Sequence, residues 1–310
     1  MFANVYPILC VPGTLLSNYL TERWGLRCTL NLAFFLSCVG AWGRSLFNFS
    51  PALALASHAV LVVLQPTFNN MIPRVSVAWF RLERVVTATS FMFGMSAFGL
   101  ALGQILPPAL VQESPSFSKD QVTYLAIVQA SLFSFAWLVA LFLFRAKPGS
   151  PPSAVAETPR FDLCTSLCVL LRSGPFLLLL ASQFLVSAGS VATYTLLEPM
   201  LAIFEYPSPA RFASLINAAS CVIGFFATLG VGVLVDRTKH FKLPLFLSSL
   251  LTAVDLGVFA WFGEERLQWL AALLIVALGI LVSVTMTISV ELGCEVAYPI
   301  ESRAALGRRA

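Results

Sequence analysis

Charged side chains are scarce in this sequence. Asp, Glu, Lys and Arg make up 11% of the 310 residues, whereas hydrophobic residues make up 58%. Soluble domains contain about 25% charged residues, and a water-soluble fold of this size cannot hide so much apolar side chain. A lipid bilayer does solvate such a surface. The composition therefore excludes an ordinary soluble domain and predicts an all-α, polytopic membrane protein.

Residues that carry catalytic or metal chemistry are also few. The chain has two His and seven Cys, of which only Cys164 and Cys168 lie close together, without the second pair that a zinc site needs. It contains no H-E-x-x-H, no phosphate-binding glycine loop and no nucleophile elbow. The sequence therefore predicts no enzyme and no metal or other cofactor. No nucleic-acid partner is predicted, because the net charge of +4 says little about nucleic acid when basic residues of a membrane protein mostly mark its cytoplasmic loops.

Long apolar runs, in contrast, recur along the whole chain. A helix needs about 20 apolar residues to cross a bilayer, and the runs do not alternate as strands do. Nine segments reach that length and are predicted to be transmembrane helices in contact with the lipid bilayer: residues 2–20, 28–47, 51–72, 85–111, 122–144, 175–201, 213–235, 243–262 and 267–290.

The loops between these segments differ in charge. Of the 19 Lys and Arg residues, all lie in one alternating set of loops except four: Arg44, Lys119, Arg211 and Arg266. Because Lys and Arg concentrate in cytoplasmic loops, the larger set is predicted to lie inside. Nine spans then place the N-terminus outside and the C-terminus inside.

The chain has the features of two related halves. A stretch rich in Pro, Ser and Ala (146–159) separates five spans from four. We therefore expect an N-terminal bundle over 1–144, a cytoplasmic linker over 145–174 and a C-terminal bundle over 175–310. The turns at 17–27 and 232–242 each place an acidic residue, Glu22 or Asp236, among basic ones. Such a turn in both halves favours an internal repeat; an ordinary polar turn is the alternative for either loop alone.

Seven stretches carry a family resemblance, and they cover nearly the whole chain in order: RWGLRCTLNLAFFLSCVGAWGR (23–44), VSVAWFRLERVVTATS (75–90), GLALGQILPPALV (99–111), RSGPFLLLL (172–180), TLLEPM (195–200), VDRTKHF (235–241) and VELGCEVAYPIES (290–302). They resemble the major facilitator superfamily, and within it the FLVCR-related heme and choline transporter family (solute carrier family 49). The resemblance implies twelve helices in two bundles around a central cavity, and plasma-membrane transport of a heme or choline/ethanolamine-like solute by alternating access. An organelle membrane is the alternative location.

When the predicted spans are matched to this family, some of the family's twelve helices have no counterpart in this chain. The first span corresponds to the second family helix and the last span to the tenth, so family helices 1, 11 and 12 are expected to be absent. The alternative function is a truncated membrane scaffold, or a partner of a full-length transporter, that does not itself move solute.

The resemblance also implies solute-binding positions. A choline-like cation is best bound by aromatic faces. The aromatic residue of the seventh family helix aligns with Val191, and Tyr194 follows on the same helical face. An interface anchor is the alternative role for Tyr194. The Asn-Gln pair of the fifth family helix aligns with Ser96 and Ala97, so the Gln is missing. Gln104 can substitute for it or form a helix–helix hydrogen bond.

Two further residues lie within predicted spans. His58 is the one His inside a span and is a candidate contact for a solute, with a packed, hydrogen-bonded His as the alternative. Asp255 lies twelve residues into its span, near mid-membrane, where a charge costs about 2.5–3.5 kcal/mol. We expect a protonated or hydrogen-bonded Asp255, with proton coupling as the alternative.

A last group of charges is predicted to lie at the cytoplasmic ends of the helices. Glu291 and Glu295 stack on one helical face, but about 20 residues of helix from Leu267 end before them. A mid-membrane proton relay is therefore not expected. We predict that these carboxylates meet Arg237 or Arg84 when an inner gate closes, a solvated helix end being the alternative. The predicted gate network comprises Glu22, Arg27, Glu83, Arg84, Asp236, Arg237, Glu291 and Glu295.

Overall fold

The computed structural model describes residues 2–110, 119–146, 148, 170–203, 208–262 and 268–307, and gives no side chains for 2–4, 48, 82, 119, 262, 268 and 294–307. Within these ranges every long element is an α-helix, which confirms the predicted all-α class. The helices are α1 (Phe2–Arg44), α2 (Pro51–Val63), α3 (Pro66–Trp79), α4 (Val85–Leu110), α5 (Lys119–Leu143), α6 (Gly174–Ile203), α7 (Pro209–Thr238), α8 (Lys242–Phe262) and α9 (Gln268–Gly307).

Helix α1 contains two predicted spans and a sharp break between them. Gly25 has φ 78° and ψ 168°, a backbone conformation that is essentially restricted to glycine. Tyr6 and Ala41 pack in one apolar cluster, although a straight helix would separate them by about 50 Å at 1.5 Å per residue. The chain therefore folds back at Gly25, and the two halves of α1 form a helical hairpin.

Helices α2 and α3 together make the third predicted span. Ser50 caps the start of α2 by accepting a hydrogen bond from the Leu53 N–H. Pro66 then begins α3, where its missing N–H removes no helical hydrogen bond. Within the described ranges, eight stretches are long and apolar enough to cross a membrane, and the first of them is the hairpin α1. All nine predicted spans are therefore present as helices.

Two compact units divide the chain. The first unit comprises Met1–Trp79 with Ala109–Glu157, and it therefore contains α1, α2, α3 and α5. Its core has two apolar clusters, one around Ala41 and Leu61 and one around Ala33 and Leu64. Gly40 lets α1 approach α2 closely, because a side chain there would overlap the backbone of Leu61.

The second unit comprises Phe80–Pro108 with Thr158–Ala310, and it contains most of α4 with α6 to α9. Helix α4 packs on α7, where a Cβ at Gly94 would overlap the Phe225 ring. The predicted bundle boundaries at 144 and 175 would instead group α4 with the first five spans, and those boundaries stay a prediction. One apolar cluster joins Leu197, Phe259 and Ile275 from α6, α8 and α9. A second cluster joins α4, α7 and α9 with the turn after α7, and its buried residues are Val86, Val235, Phe241, Val284 and Ile288.

Candidate functional site

A polar cluster lies inside the second unit where three helices meet. The Tyr194 hydroxyl of α6 lies 3.4 Å from the Ser220 Oγ of α7. Ser220 Oγ also donates a hydrogen bond of 3.1 Å to the Ile275 carbonyl oxygen of α9. Gly279 permits this approach, because a Cβ there would overlap Ser220 Oγ and lie 3.1 Å from the Tyr194 hydroxyl. Tyr194 therefore points into the unit rather than outward as an interface anchor.

Asp255 belongs to the same region. Ser248, Thr252, Asp255 and Phe259 are all buried and follow one another at spacings of three and four residues, so they form one face of α8. That face packs on α9, because Thr285 Oγ1 donates to Ser248 Oγ over 2.8 Å. Asp255 is 8% exposed, and Phe259 on the same face of α8 packs in one apolar cluster with Tyr194. Among the described residues, nothing donates a hydrogen bond to its carboxyl group.

The structure adds two residues, Asn217 and Ser220, that could not be identified as site residues from the sequence. Asn217 lies one turn before Ser220 on α7; its side chain is buried, and its Oδ1 has no hydrogen-bond donor among the described residues. Both residues were visible in the sequence as polar side chains three apart in an otherwise apolar span. Nothing in the sequence, however, indicated that this face of α7 turns toward Tyr194.

The cluster combines hydrogen-bond acceptors with an aromatic ring. Asp255, Asn217 and Ser220 supply oxygen atoms, and Tyr194 supplies both a hydroxyl and a π face. Such a set suits an organic cation, through charge attraction and cation–π contact. The same residue types also hold membrane helices together through interhelical hydrogen bonds, as Ser220 does toward α9.

The other predicted solute residues are not joined to this cluster. His58 is half-buried on α2 and therefore belongs to the first unit. On α4, Gln104 is half-buried and Ser96 is exposed. No hydrogen bond in the described parts of the chain connects either residue to Tyr194. A role for these three residues in solute binding stays a prediction.

Asp236 forms a polar contact between the end of α7 and the start of α4 in the second unit. Its Oδ2 accepts hydrogen bonds from the Thr87 backbone N–H at 2.7 Å and from the Thr87 hydroxyl at 2.5 Å. Thr87 lies in the first turn of α4, where backbone N–H groups lack helical partners and the helix dipole attracts negative charge. Lys239 Nζ lies 3.5 Å from Asp236 Oδ1. Asp236 thus ties the end of α7 to the start of α4.

The remaining members of the predicted gate network are distributed over both units. Arg27 donates to the Leu141 carbonyl oxygen at 3.2 Å, within the first unit. Glu291 is buried on α9, which does not fit a solvated helix end. Five members of the network are exposed: Glu22, Arg27, Glu83, Arg84 and Arg237.

The predicted latch between the two glutamates and cytoplasmic Arg residues stays a prediction, because Glu295 has no described side chain. Cys164 and Cys168 lie outside the described residues. Within the ranges described above, no three His, Cys, Asp or Glu side chains gather in a way that could hold a metal ion.

Comparison with known proteins gives one family. The model for the Major Facilitator Superfamily matches residues 1–307. The choline/ethanolamine transporter flvcr2a of Danio rerio is 26% identical over 306 residues, which cover 95% of this chain and 65% of that protein. The choline/ethanolamine transporter FLVCR2 of Homo sapiens is 24% identical over 307 residues, covering 95% of this chain and 58% of that protein. The chain thus spans less than two thirds of the length of these relatives.

A solved structure agrees with this assignment at the level of fold. The Escherichia coli fucose:proton symporter FucP superposes with a TM-score of 0.62 at 14% identity, covering 99% of this chain and 84% of that chain. These relatives are transporters and not enzymes. The chain is therefore a multi-pass membrane protein that belongs to the major facilitator superfamily and is related to the FLVCR-type choline/ethanolamine transporters.

Proposed function

We propose that this chain forms part or all of an alternating-access transporter for a small organic cation of the choline/ethanolamine class. The observation that carries the proposal is the polar cluster of Tyr194, Asp255, Asn217 and Ser220 inside the second unit. The names of the relatives, which are choline/ethanolamine transporters, point to the same class of solute.

The cluster distinguishes between the two solutes that the family resemblance implies. A quaternary ammonium group has no hydrogen to donate, so it is held by a carboxylate and an aromatic face. Ethanolamine carries a primary ammonium group, whose three N–H donors match the acceptor oxygens of Asp255, Asn217 and Ser220. Heme carries carboxylates of its own, and a buried acid repels these. The cluster therefore favours an amine over heme.

Alternating access also requires an inner closure that opens and closes. We propose that the Asp236–Thr87 contact is part of that closure. It joins the inner ends of α7 and α4 through two hydrogen bonds to one carboxylate oxygen. Charge-assisted hydrogen bonds of this kind are strong enough to bias two arrangements and weak enough to break in each cycle.

Tyr194 provides the direct test. In proteoliposomes that contain the purified protein, Tyr194→Ala should lower the initial rate of radiolabelled choline uptake about tenfold, the equivalent of a buried cation–π contact. Tyr194→Phe keeps the ring and should retain most of the rate. Tyr124→Ala, at an exposed tyrosine on α5, is the matched control and should leave uptake unchanged. Full uptake by Tyr194→Ala would remove Tyr194 from the solute path.

A non-transporting membrane scaffold, or a partner of a full-length transporter, is the second candidate. The observation that favours it is the length of the chain, which covers 65% of the Danio rerio relative and 58% of the human one. The test compares choline flux through this chain with flux through a chimera completed by the remaining segments of the Danio rerio protein. Flux through the chimera but not through this chain supports the scaffold. Flux through this chain by itself excludes the scaffold. Flux through neither protein contradicts the assignment of choline.

A further inference from the structure

A pocket in the first unit is separate from the cluster around Tyr194 and from the proposed transport function. It has a volume of about 320 Å³ and lies between the end of α1, the start of α2 and the first turns of α5. Arg44 and Gln129 are its polar lining residues, and Phe47, Val122, Leu125 and Ala126 form most of its apolar wall. Its size falls at the lower end of small-ligand sites, which measure about 300–1,000 Å³.

Arg44 gives the pocket its chemical character. The side chain is half-buried, and none of the described residues makes a hydrogen bond or an ion pair with its guanidinium group. At this end of the first unit, Asp120 is the one described acidic side chain; it is exposed and forms no ion pair with Arg44. A partly desolvated guanidinium that has five donors and no ion pair with a described carboxylate favours an anionic ligand.

Two helix starts strengthen the same preference. Ala54 in the first turn of α2 and Val122 in the first turn of α5 both line the pocket. The dipole of a helix N-terminus carries partial positive charge, so both helices add to the field of Arg44. Gln129 supplies two further donors and an acceptor.

The surroundings of the pocket indicate a lipid. Phe49 is 84% exposed, and Leu53 and Tyr124 are also exposed beside the lining residues, as expected for side chains that face acyl chains. The alternating distribution of basic residues places this end outside, where Arg44 is one of only four Lys or Arg residues. It lies at the end of a membrane-spanning helix, the depth at which lipid phosphates are found.

We infer that this pocket binds a glycerophospholipid of the outer leaflet, with the phosphate group held by Arg44 and Gln129. The glycerol and upper acyl segments lie against Phe47, Leu125 and Ala126. The lipid joins the hairpin α1 to α2 and α5 at the outer face of the first unit.

Native mass spectrometry of the delipidated full chain tests this inference. Palmitoyl-oleoyl-phosphatidylglycerol should bind the unchanged chain with a stoichiometry of one. Arg44→Gln should raise the apparent Kd about tenfold or more, since hydrogen bonds to a charged group are lost. Arg145→Gln, at an exposed arginine in the same unit, is the matched control and should bind as the unchanged chain does. Equal loss in both variants would indicate non-specific charge attraction and overturn the inference.

A second variant and two further probes guard against misfolding and against other ligands. Ala126→Leu leaves every charge in place, fills the pocket and should also lower occupancy. Palmitoyl-oleoyl-glycerol, which has the same chains without phosphate, should not compete. Inorganic phosphate should not compete at millimolar concentration. Competition by the neutral lipid would reduce the site to an apolar groove, and competition by free phosphate would make it a site for a soluble anion; either result contradicts a phospholipid site.

Discussion

Asp255 is the residue that most needs a physical explanation. An acid inside a membrane span is costly, and it persists where it is paired, protonated or functional. Its face of α8 also carries Ser248 and Thr252, whose hydroxyls form hydrogen bonds within α8 or with α9. Asp255 has no such hydrogen bond among the described residues, and it lies one turn from Phe259, which packs in one cluster with Tyr194. A buried carboxyl group without a hydrogen-bond donor among the described residues fits one that binds a proton or a cationic solute.

Asp255→Asn separates those two roles. If the carboxylate attracts the cation, the substitution should lower choline uptake about tenfold, because a charge contact within the membrane is lost. Uptake by the unchanged protein should fall at low pH as the carboxyl is protonated, and this dependence should be absent from Asp255→Asn. Initial rates in proteoliposomes across a pH series measure both effects.

Asp120→Asn is the control, because Asp120 is an exposed acid in the first turn of α5. It should change neither the rate nor its pH dependence. An Asp255→Asn protein that transports normally with an unaltered pH profile would show that Asp255 has a structural role alone.

At the scale of elements, a single glycine turns one long helix into a hairpin. Gly25 has the positive φ that other residues rarely adopt, and it lies in the polar turn TERWGLR. Apart from the neighbouring backbone of its own helix, no described atom lies within 4 Å of the position that a Cβ at Gly25 would occupy. Any effect of a substitution there therefore comes from the backbone and not from crowding.

Gly25→Ala should lower the free energy of unfolding by about 1–3 kcal/mol, the cost of a non-glycine residue in this region. Gly230→Ala is the matched control, since Gly230 lies within α7 and a Cβ there also meets nothing within 4 Å. It should be neutral or slightly stabilising, because alanine favours helix. Denaturation in detergent, followed by circular dichroism, measures both. Equal stability of the two variants would mean that the hairpin does not depend on the conformation of Gly25.

A second prediction at this scale concerns the contact between α7 and α4. Asp236→Ala removes the acceptor of two hydrogen bonds at the start of α4 and should cost about 1–2 kcal/mol, as loss of a helix cap does. Backbone amides around Thr87 should then exchange with deuterium about tenfold faster, which mass spectrometry of proteolytic fragments detects.

Glu83→Ala is the control for this experiment, because Glu83 is an exposed acid only four residues from Thr87. Exchange around Thr87 should be unaffected by it. If both substitutions accelerate exchange equally, the protection of the amides around Thr87 depends on negative charge near α4 and not on the specific contact of Asp236.

At the scale of the whole molecule, the distribution of charge predicts how the chain crosses the membrane. Phe49 is on the side with few basic residues, and Thr238 is on the side with many. In a variant whose seven Cys are replaced by Ser, Phe49→Cys should react with a membrane-impermeant maleimide in intact cells. Thr238→Cys should react only after the cells are permeabilised. The reverse pattern would contradict the predicted orientation.

The lengths and order of the helices could be predicted because each depends on a local run of residues. A helix requires about 20 apolar residues to cross a bilayer, and the sequence contains nine such runs. The break at Gly25 could not be located this way, since the polar turn around it shows only that the chain leaves the membrane. The structure shows which residue reverses the direction.

Only part of the candidate site could be predicted. Tyr194, Asp255 and Asp236 were identified because an aromatic, an intramembrane acid and an acid at a helix end are visible in the sequence. Ser220, Asn217 and Gly279 were not. Small and weakly polar residues are common in membrane helices, and their role depends on which face meets a neighbouring helix.

The sequence by itself determined the class of protein, the nine spans and the predicted side of each loop. These follow from the partitioning of side chains between water and lipid, which is a local property of each segment. The tertiary structure decided which polar groups meet, such as Asp236 and Thr87, which are 149 residues apart. It also placed Arg44 beside Gln129 in one pocket. Such contacts depend on how helices pack, and packing is a property of residues that are distant in the chain.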